Sequence, residues 1–356
     1  TTKQVQNLID KEKEFKMEAK LLTRDNFRES VFERDNHKCV FCNEKAVDAH
    51  HILERRLWKD GGYYLDNGAS VCEEHHLACE RTDISVEEVR EKCGITNIVK
   101  PEHLYDDEIY DKWGNIVRPD GHRVKGELFY DESVQKIIKE HLSLFIKYTK
   151  YPRTYHMPYS EGISKDDKQL SLEKMCEYFD GKRVIITEKM DGENTSLYND
   201  KTHARSIDSR NHPSRKWLKK FWNDNVSGQL PEDWRICGEN LYAEHSIHYK
   251  LKTYFNGFSI WDEKNVCLNW DETLEYFELL NIEPVKVLYD GVFSTDVIKQ
   301  LIKDLNLDEQ EGLVMRLADS FEYKEFKKSV CKFVRKDDIR TTKHWMMGQE
   351  VIPNDL

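Results

Sequence analysis

The 356-residue sequence has no run of about 18 apolar residues, the length a helix needs to span a bilayer. Its opening stretch, TTKQVQNLIDKEKEFK, lacks the apolar centre of a secretory signal. These absences predict a soluble, cytoplasmic chain with no membrane partner. Nine cysteines are too few and too scattered for a secreted disulfide framework. No internal repeat or low-complexity tract is present, so no repeat architecture is expected. Bulk positive charge is missing as well: the formal net charge of -11 excludes a surface that coats nucleic acid by overall electrostatics, and leaves only local grooves for that purpose.

Against that acidic background, two basic clusters stand out, SRNHPSRKWLKK at 209–220 and KEFKKSVCKFVRK at 324–336. The length suits two domains. Over residues 3–22, Val5, Leu8, Ile9, Glu12, Phe15, Ala19 and Leu22 fall on one helical stripe, predicting an amphipathic helix and leaving a dimer open. ISVEEVREKCG reads as a helix stopped by Gly94, closing a first unit at 1–95. Residues 96–150 form a connector rich in turn residues, with a helix in ESVQKIIKEHLSLFIKY, where Val134, Ile137, Ile138, Leu142 and Phe145 recur at helical spacing. From 151 to 356, short apolar runs such as RVIIT, WRICGEN, FNGFSIW and EGLVMRL alternate with helices near 213–225, 271–281 and 294–305. The fold class is α+β, built on antiparallel sheet.

The first unit concentrates cysteine and histidine. Cys39-x-x-Cys42 and Cys72-x-x-His75 are two knuckles about 30 residues apart, a spacing suited to one tetrahedral structural zinc. His50, His51, Asn67 and His76 are left over. Residues 30–80 resemble the HNH, or ββα-metal, endonucleases. That resemblance implies that His51 is the general base, that Asn67 orients its ring, and that His50 and His76 hold a divalent metal against the scissile phosphate. Many members of the family carry aspartate where this sequence has His50, which leaves the identity of the metal open. A zinc-stapled binding module without cleavage is the alternative.

The second unit holds VIITEKMDGENTSLY at 184–198, where Lys189 follows a run of β-branched residues. A lysine ending a buried strand needs a partner or a task, because its ammonium loses hydration it cannot recover. Taken singly, Glu239 and Glu311 read as strand-end carboxylates, and Phe258 and Trp261 as core aromatics. In series, Lys189-x-Asp191-Gly192, ARSIDSR, GENLY, FSIWD, EGLVMR and CKFVR resemble the ordered motifs of covalent lysine nucleotidyltransferases, and the surrounding sequence resembles a bacterial and phage family of ATP-dependent RNA ligases over residues 151–356. The resemblance implies an ATP-grasp-like ligase domain in which Lys189 attacks the α-phosphate of ATP, its pKa lowered by burial beside cations and a metal. It also implies that Glu188 lies in the nucleotide site, Glu239 contacts the ribose or a metal, and Phe258 stacks on adenine. Glu311 would help bind Mg²⁺ or Mn²⁺, Lys332 would contact the α-phosphate, and either Arg205 or Arg210 would hold a phosphate. A GTP-using capping transferase shares this chemistry. Only 24 residues follow Lys332, so no OB domain is expected there, and the amino-terminal unit with the connector is expected to help grip RNA or DNA ends.

Overall fold

The computed structural model describes residues 20–164, 167–207, 209, 211–306, 309–335 and 351–356. The stripe expected over 3–22 lies almost entirely outside them. The chain divides into two compact units, Thr1–Lys147 and Tyr148–Leu356. Among the described residues no helix is long and apolar enough to cross a membrane.

The first unit opens with helix α1 (Arg24–Arg34), capped by the Thr23 hydroxyl. A hairpin follows, in which β1 (Asp48–His51) pairs antiparallel with β2 (Gly68–Val71), and then helices α2 (Glu73–Arg81) and α3 (Val86–Cys93). A reciprocal Ser85–Glu88 capping box starts α3, and Gly94, in the left-handed region, ends it as its spacing indicates. Residues 96–147 carry the ribbon of β3 (Ile116–Val117) and β4 (Arg123–Val124) and supply Leu104, Trp113, Phe129, Val134 and Ile138 to the core shared with Cys39, Ile52 and Val71. The helix expected beyond Glu132 is shorter than its apolar stripe. Helix α4 (Glu132–Ile137) breaks at Ile138 and tightens into a 3₁₀ segment over Lys139–Leu144, which leaves Leu142 exposed while Phe145 returns to the core.

The second unit is mixed α+β with two sheets. In chain order its elements are β5 (Tyr155–His156), α5 (Leu172–Phe179), β6 (Arg183–Lys189), β7 (Glu193–Leu197), β8 (Thr202–Ala204), α6 (Lys216–Asn225), β9 (Arg235–Asn240), β10 (Phe255–Trp261), β11 (Val266–Cys267) and α7 (Trp270–Leu279). They continue through β12 (Glu283–Pro284), β13 (Val287–Val292), α8 (Thr295–Lys303), β14 (Gly312–Leu317), β15 (Phe321–Glu322), α9 (Phe326–Ser329) and β16 (Val330–Val334). One sheet runs β13-β6-β14-β16-β5 and the other β15-β11-β10-β9-β7-β8, with β12 added beside β10. Pairing is antiparallel except for β16 with β5 and β10 with β12. Helices α6, α7 and α8 lie where the sequence periodicity puts them. Ser171, Asn269 and Ser294 cap α5, α7 and α8 with their side chains.

Strand β14 lies between β6 and β16, and Leu313 on it is fully buried among Val184, Ile186, Met315 and Phe333. Leu313→Ala should cost about 2–5 kcal/mol, whereas Leu172→Ala, at a position 46% exposed, should stay within about 0.5 kcal/mol. Thermal unfolding of both variants checks this; equal midpoints would contradict the assignment of that strand to the core.

Candidate active site

The chain crosses from one sheet of the second unit to the other at Met190–Gly192. Lys189 is the last residue of β6, opposite Gly312 on β14, while Val314 on β14 faces Lys332 on β16. On the far side of the crossing, Asn194 on β7 faces Glu239 on β9. This register gathers Lys189, Glu239 and Lys332 around a cavity of about 200 Å³, with Glu311 adjoining Lys189. Close backbone approach needs glycine twice here. A Cβ on Gly312 would lie 2.0 Å from the Phe333 carbonyl, and one on Gly192 would lie 2.7 Å from that of Asn240.

The Lys189 ammonium is ion-paired with Glu311. Burial alone would lower its pKa, but Glu311, Glu239 and Asp191 outweigh burial and raise it. The lowered value expected from the sequence assumed a metal and cations beside the amine; the carboxylates around it act in the opposite direction. Glu239 is pushed up to about 8, by burial against the pull of Lys189 and with Asp191 adding to it. Burial lowers Lys332, helped by Lys189 and Arg205 and resisted by Asp167, whose Oδ1 is 3.7 Å from Lys332 Nζ.

Glu188 and Phe258 line the same cavity. The Glu188 carboxylate accepts from Gln310 Nε2 at 2.8 Å, and the Phe258 ring meets Tyr151 edge-on at 5.3 Å. Arg205 also lines the cavity, whereas Arg210 lies outside the described residues.

Three residues here are absent from the sequence reading. Asp167 links Lys332 to buried His156, whose Nε2 is 3.3 Å from Asp167 Oδ2. Arg316 donates to the Phe258 carbonyl, with its guanidinium 5.5 Å from that ring. Strand alternation was its signal, since Val314 and Arg316 share the face of β14 that borders the cavity.

The first unit presents two donor clusters. The ligand atoms of Cys39, Cys42, Cys72 and His75 lie within 4.8 Å of one another, with Cys42 Sγ 3.7 Å from Cys72 Sγ. A tetrahedral ion with Zn–S bonds of about 2.3 Å requires sulfur separations of about 3.8 Å, so the donor set fits zinc. The second cluster is Asp48, His50 and His76. His76 Nδ1 lies 3.1 Å from Asp48 Oδ2, and the His50 and His76 rings meet edge-on at 5.3 Å. Asp48 was missed in the sequence; two residues before His50 on β1, it shares that strand face and supplies the carboxylate missing next to His51. Behind His50, Glu80 Oε1 is 3.5 Å from its Nδ1 and 3.0 Å from Lys112 Nζ.

His51 stacks on Phe27 at 4.6 Å, and burial followed by Lys112 lowers its pKa to about 4. Asn67 does not bond its ring among the described residues. The Asn67 amide instead accepts from the Leu53 N–H at 2.9 Å and donates to the carbonyls of Leu53 and Gly62. It therefore fixes the backbone that leaves β1.

Residues 182–334 match the RNA ligase family. No curated protein matches the chain. Among solved structures, an archaeal ATP-dependent RNA ligase aligns with a TM-score of 0.36 and 18% identity over 53% of this chain and 48% of its own. A Naegleria gruberi RNA ligase mutant with ATP and Mn aligns at 0.38 and 18%, covering 53% of this chain and 56% of its own. The Naegleria gruberi RNA ligase with PPi aligns at 0.37 and 19%, covering 56% and 69%. The chain spans about half the length of the archaeal structure.

Asp191 gives this site a pH signature. Burial opposes its ionisation, but hydrogen bonds from His245 and Ser246 hold its pKa down to about 2. A depressed carboxylate stabilises the fold above its unfolded pKa near 4, and that stabilisation is lost as pH falls through the folded value. Asp191→Asn should therefore cost on the order of 2 kcal/mol at pH 6, with the gap to the unaltered protein narrowing by pH 3. Denaturant titrations at the two pH values check this; a gap independent of pH would contradict it.

Proposed function

We propose that the second unit is an ATP-dependent RNA ligase working through a covalent lysyl-AMP at Lys189. The observation that carries this reading is a half-buried lysine at the end of a buried strand, ion-paired to Glu311 and bordered by Glu239 and Lys332 around one cavity, inside the segment that matches the RNA ligase family.

In this reading Lys189 Nζ gives up a proton and attacks the α-phosphorus of ATP. A P–N bond forms and the bond to pyrophosphate breaks. A 5′-phosphate oxygen next attacks the same phosphorus, freeing the lysine and leaving AMP on the strand end. A 3′-hydroxyl then attacks that 5′-phosphate, AMP departs, and the phosphodiester is closed. Lys332 and Arg205 bind phosphate oxygens as these charges shift. Phe258 and Glu188 bind the nucleoside. Glu311, with Glu239 beside it, offers hard oxygen donors suited to Mg²⁺ or Mn²⁺, which would supply positive charge to the phosphates.

The first unit, in the same reading, is an HNH endonuclease stapled by zinc at Cys39, Cys42, Cys72 and His75. His50, His76 and Asp48 would hold the catalytic metal, and neutral His51 would take a proton from water. Fusion of the two activities suits processing and repair of nucleic-acid ends. A zinc-stapled binding module without cleavage is favoured by one observation, the packing of the His51 ring between Phe27 and Tyr63.

Ligation assays on nicked and single-stranded RNA and DNA, run with ATP or GTP, test the ligase. Sealing with ATP that disappears in Lys189→Ala is expected; activity with GTP alone would favour a capping transferase. For the first unit, metal-dependent cleavage of nucleic acid that falls at least about 100-fold in His51→Ala is expected, in line with the usual worth of a general base. No cleavage by the unaltered protein would leave the binding module, and cleavage unchanged in His51→Ala would contradict the role of His51 as general base.

A further inference from the structure

The turn that ends the nucleophile strand rests on a small apolar cluster of Leu241, Ile247 and Tyr249, with Met190 and Leu251 at its edge. The Asp191 N–H donates to the Tyr249 hydroxyl at 3.0 Å, and the Asp191 carboxylate accepts from both the backbone and the hydroxyl of Ser246. Gly192 lies so close to Asn240 and Leu241 that even a methyl group has no room. The position of Lys189 is therefore tied to the loop that runs from Leu241 to Tyr254.

That loop is held by residues distant in sequence. Segment Val351–Leu356 crosses it, bridging Ala243 to Pro353 and Lys250 to Asp355. Glu244 N–H donates to the Ile352 carbonyl at 2.8 Å, Asp355 N–H to that of Tyr249 at 3.0 Å, and Leu251 N–H to that of Asp355 at 2.9 Å. Asn354 is at the centre and only 2% exposed. Its Oδ1 accepts from the Tyr249 N–H at 2.8 Å, its Nδ2 donates to the Leu241 carbonyl at 2.8 Å, and its own carbonyl accepts from the Tyr254 hydroxyl at 2.9 Å. A single side chain thus satisfies buried backbone groups at both ends of the apolar cluster.

We propose that Asn354 is a positioning residue for Lys189. It fixes the backbone of Tyr249, whose hydroxyl fixes the Asp191 N–H and with it the direction in which the strand delivers the amine. The inference rests on the reading of Lys189 as the nucleotide-accepting lysine. None of Asn354, Tyr249 or Ser246 borders the cavity, so their effect falls on the covalent step and not on nucleotide affinity.

The test uses the 356-residue chain with Asn354→Ala, Asn354→Asp, Tyr249→Phe and the Asn354→Ala/Tyr249→Phe double variant. Folding is checked by thermal melting, and uptake of label from α-labelled ATP is followed in single turnover over a range of ATP concentrations. The limiting rate constant should fall about 10- to 100-fold in Asn354→Ala and in Tyr249→Phe, the scale expected for a nucleophile misplaced by about an ångström. The ATP concentration giving half the limiting rate should stay within about threefold. Asn354→Asp keeps the acceptor for Tyr249 but sets an oxygen against the Leu241 carbonyl, so it should be slowed as well, and the double variant should be no slower than the slower single one. A folded Asn354→Ala that labels at the unaltered rate overturns the inference. If that variant does not fold, Tyr249→Phe decides, since it removes one oxygen and keeps the packing; an unaltered limiting rate there overturns the inference equally. Labelling of the unaltered protein together with either result sinks the inference alone, whereas no label on the unaltered protein sinks the reading of Lys189 and the inference with it.

Discussion

The pairing of the Lys189 ammonium with the Glu311 carboxylate is the constraint on which the second unit depends. An ammonium at the end of a buried strand is tolerated only with an acidic partner, and losing one member of such a pair costs about 3–5 kcal/mol because the other charge is stranded. The partner cannot come from β6 itself, so the register of β6 against β14 must bring Glu311 to the right place. Gly312 makes that register reachable by letting β14 and β16 close up. Glu311, Glu239 and Asp191 together favour the charged form of Lys189 against the burial that opposes it.

The first unit meets a different version of the same problem. Its strands are two to four residues long and its α-helices six to eleven, so regular structure alone gives it little support. Two sets of donors converge instead, and a metal bound to either contributes its binding energy to the fold. The histidine and carboxylate donors are spaced by strand and helix geometry: Asp48 and His50 lie on one face of β1, and His76 is on the helix that follows β2. Glu80 contacts His50 from behind and pairs with Lys112, the kind of outer contact that orients a histidine wherever one ligates a metal.

Much of this was legible in the sequence because it is local. Short apolar runs marked β6, β9, β10 and β14, Gly94 marked the end of α3, and the two Cys-x-x-Cys/His knuckles marked the quartet that the structure gathers. What was not legible depends on separation or on register. Asn354 reaches Tyr249 across 105 positions, with no local pattern that pairs them. Asp167 meets Lys332 because β5 joins β16 in parallel, a pairing that no turn in the sequence announces. Asp48 had only a weak signal, the two-residue period that puts it on the His50 face of β1. The acidic surroundings of Lys189 were hidden for a related reason: Glu311 and Glu239 are remote in sequence and become its neighbours only when the sheets form.

The central claim is that Lys189 becomes covalently bonded to AMP. Peptide mapping by mass spectrometry after incubation of the purified protein with ATP and magnesium tests it most directly. The account predicts an adenylate carried on the peptide that contains Lys189, on that side chain and no other. An unmodified Lys189 peptide, or an adenylate found on a different residue, would contradict it.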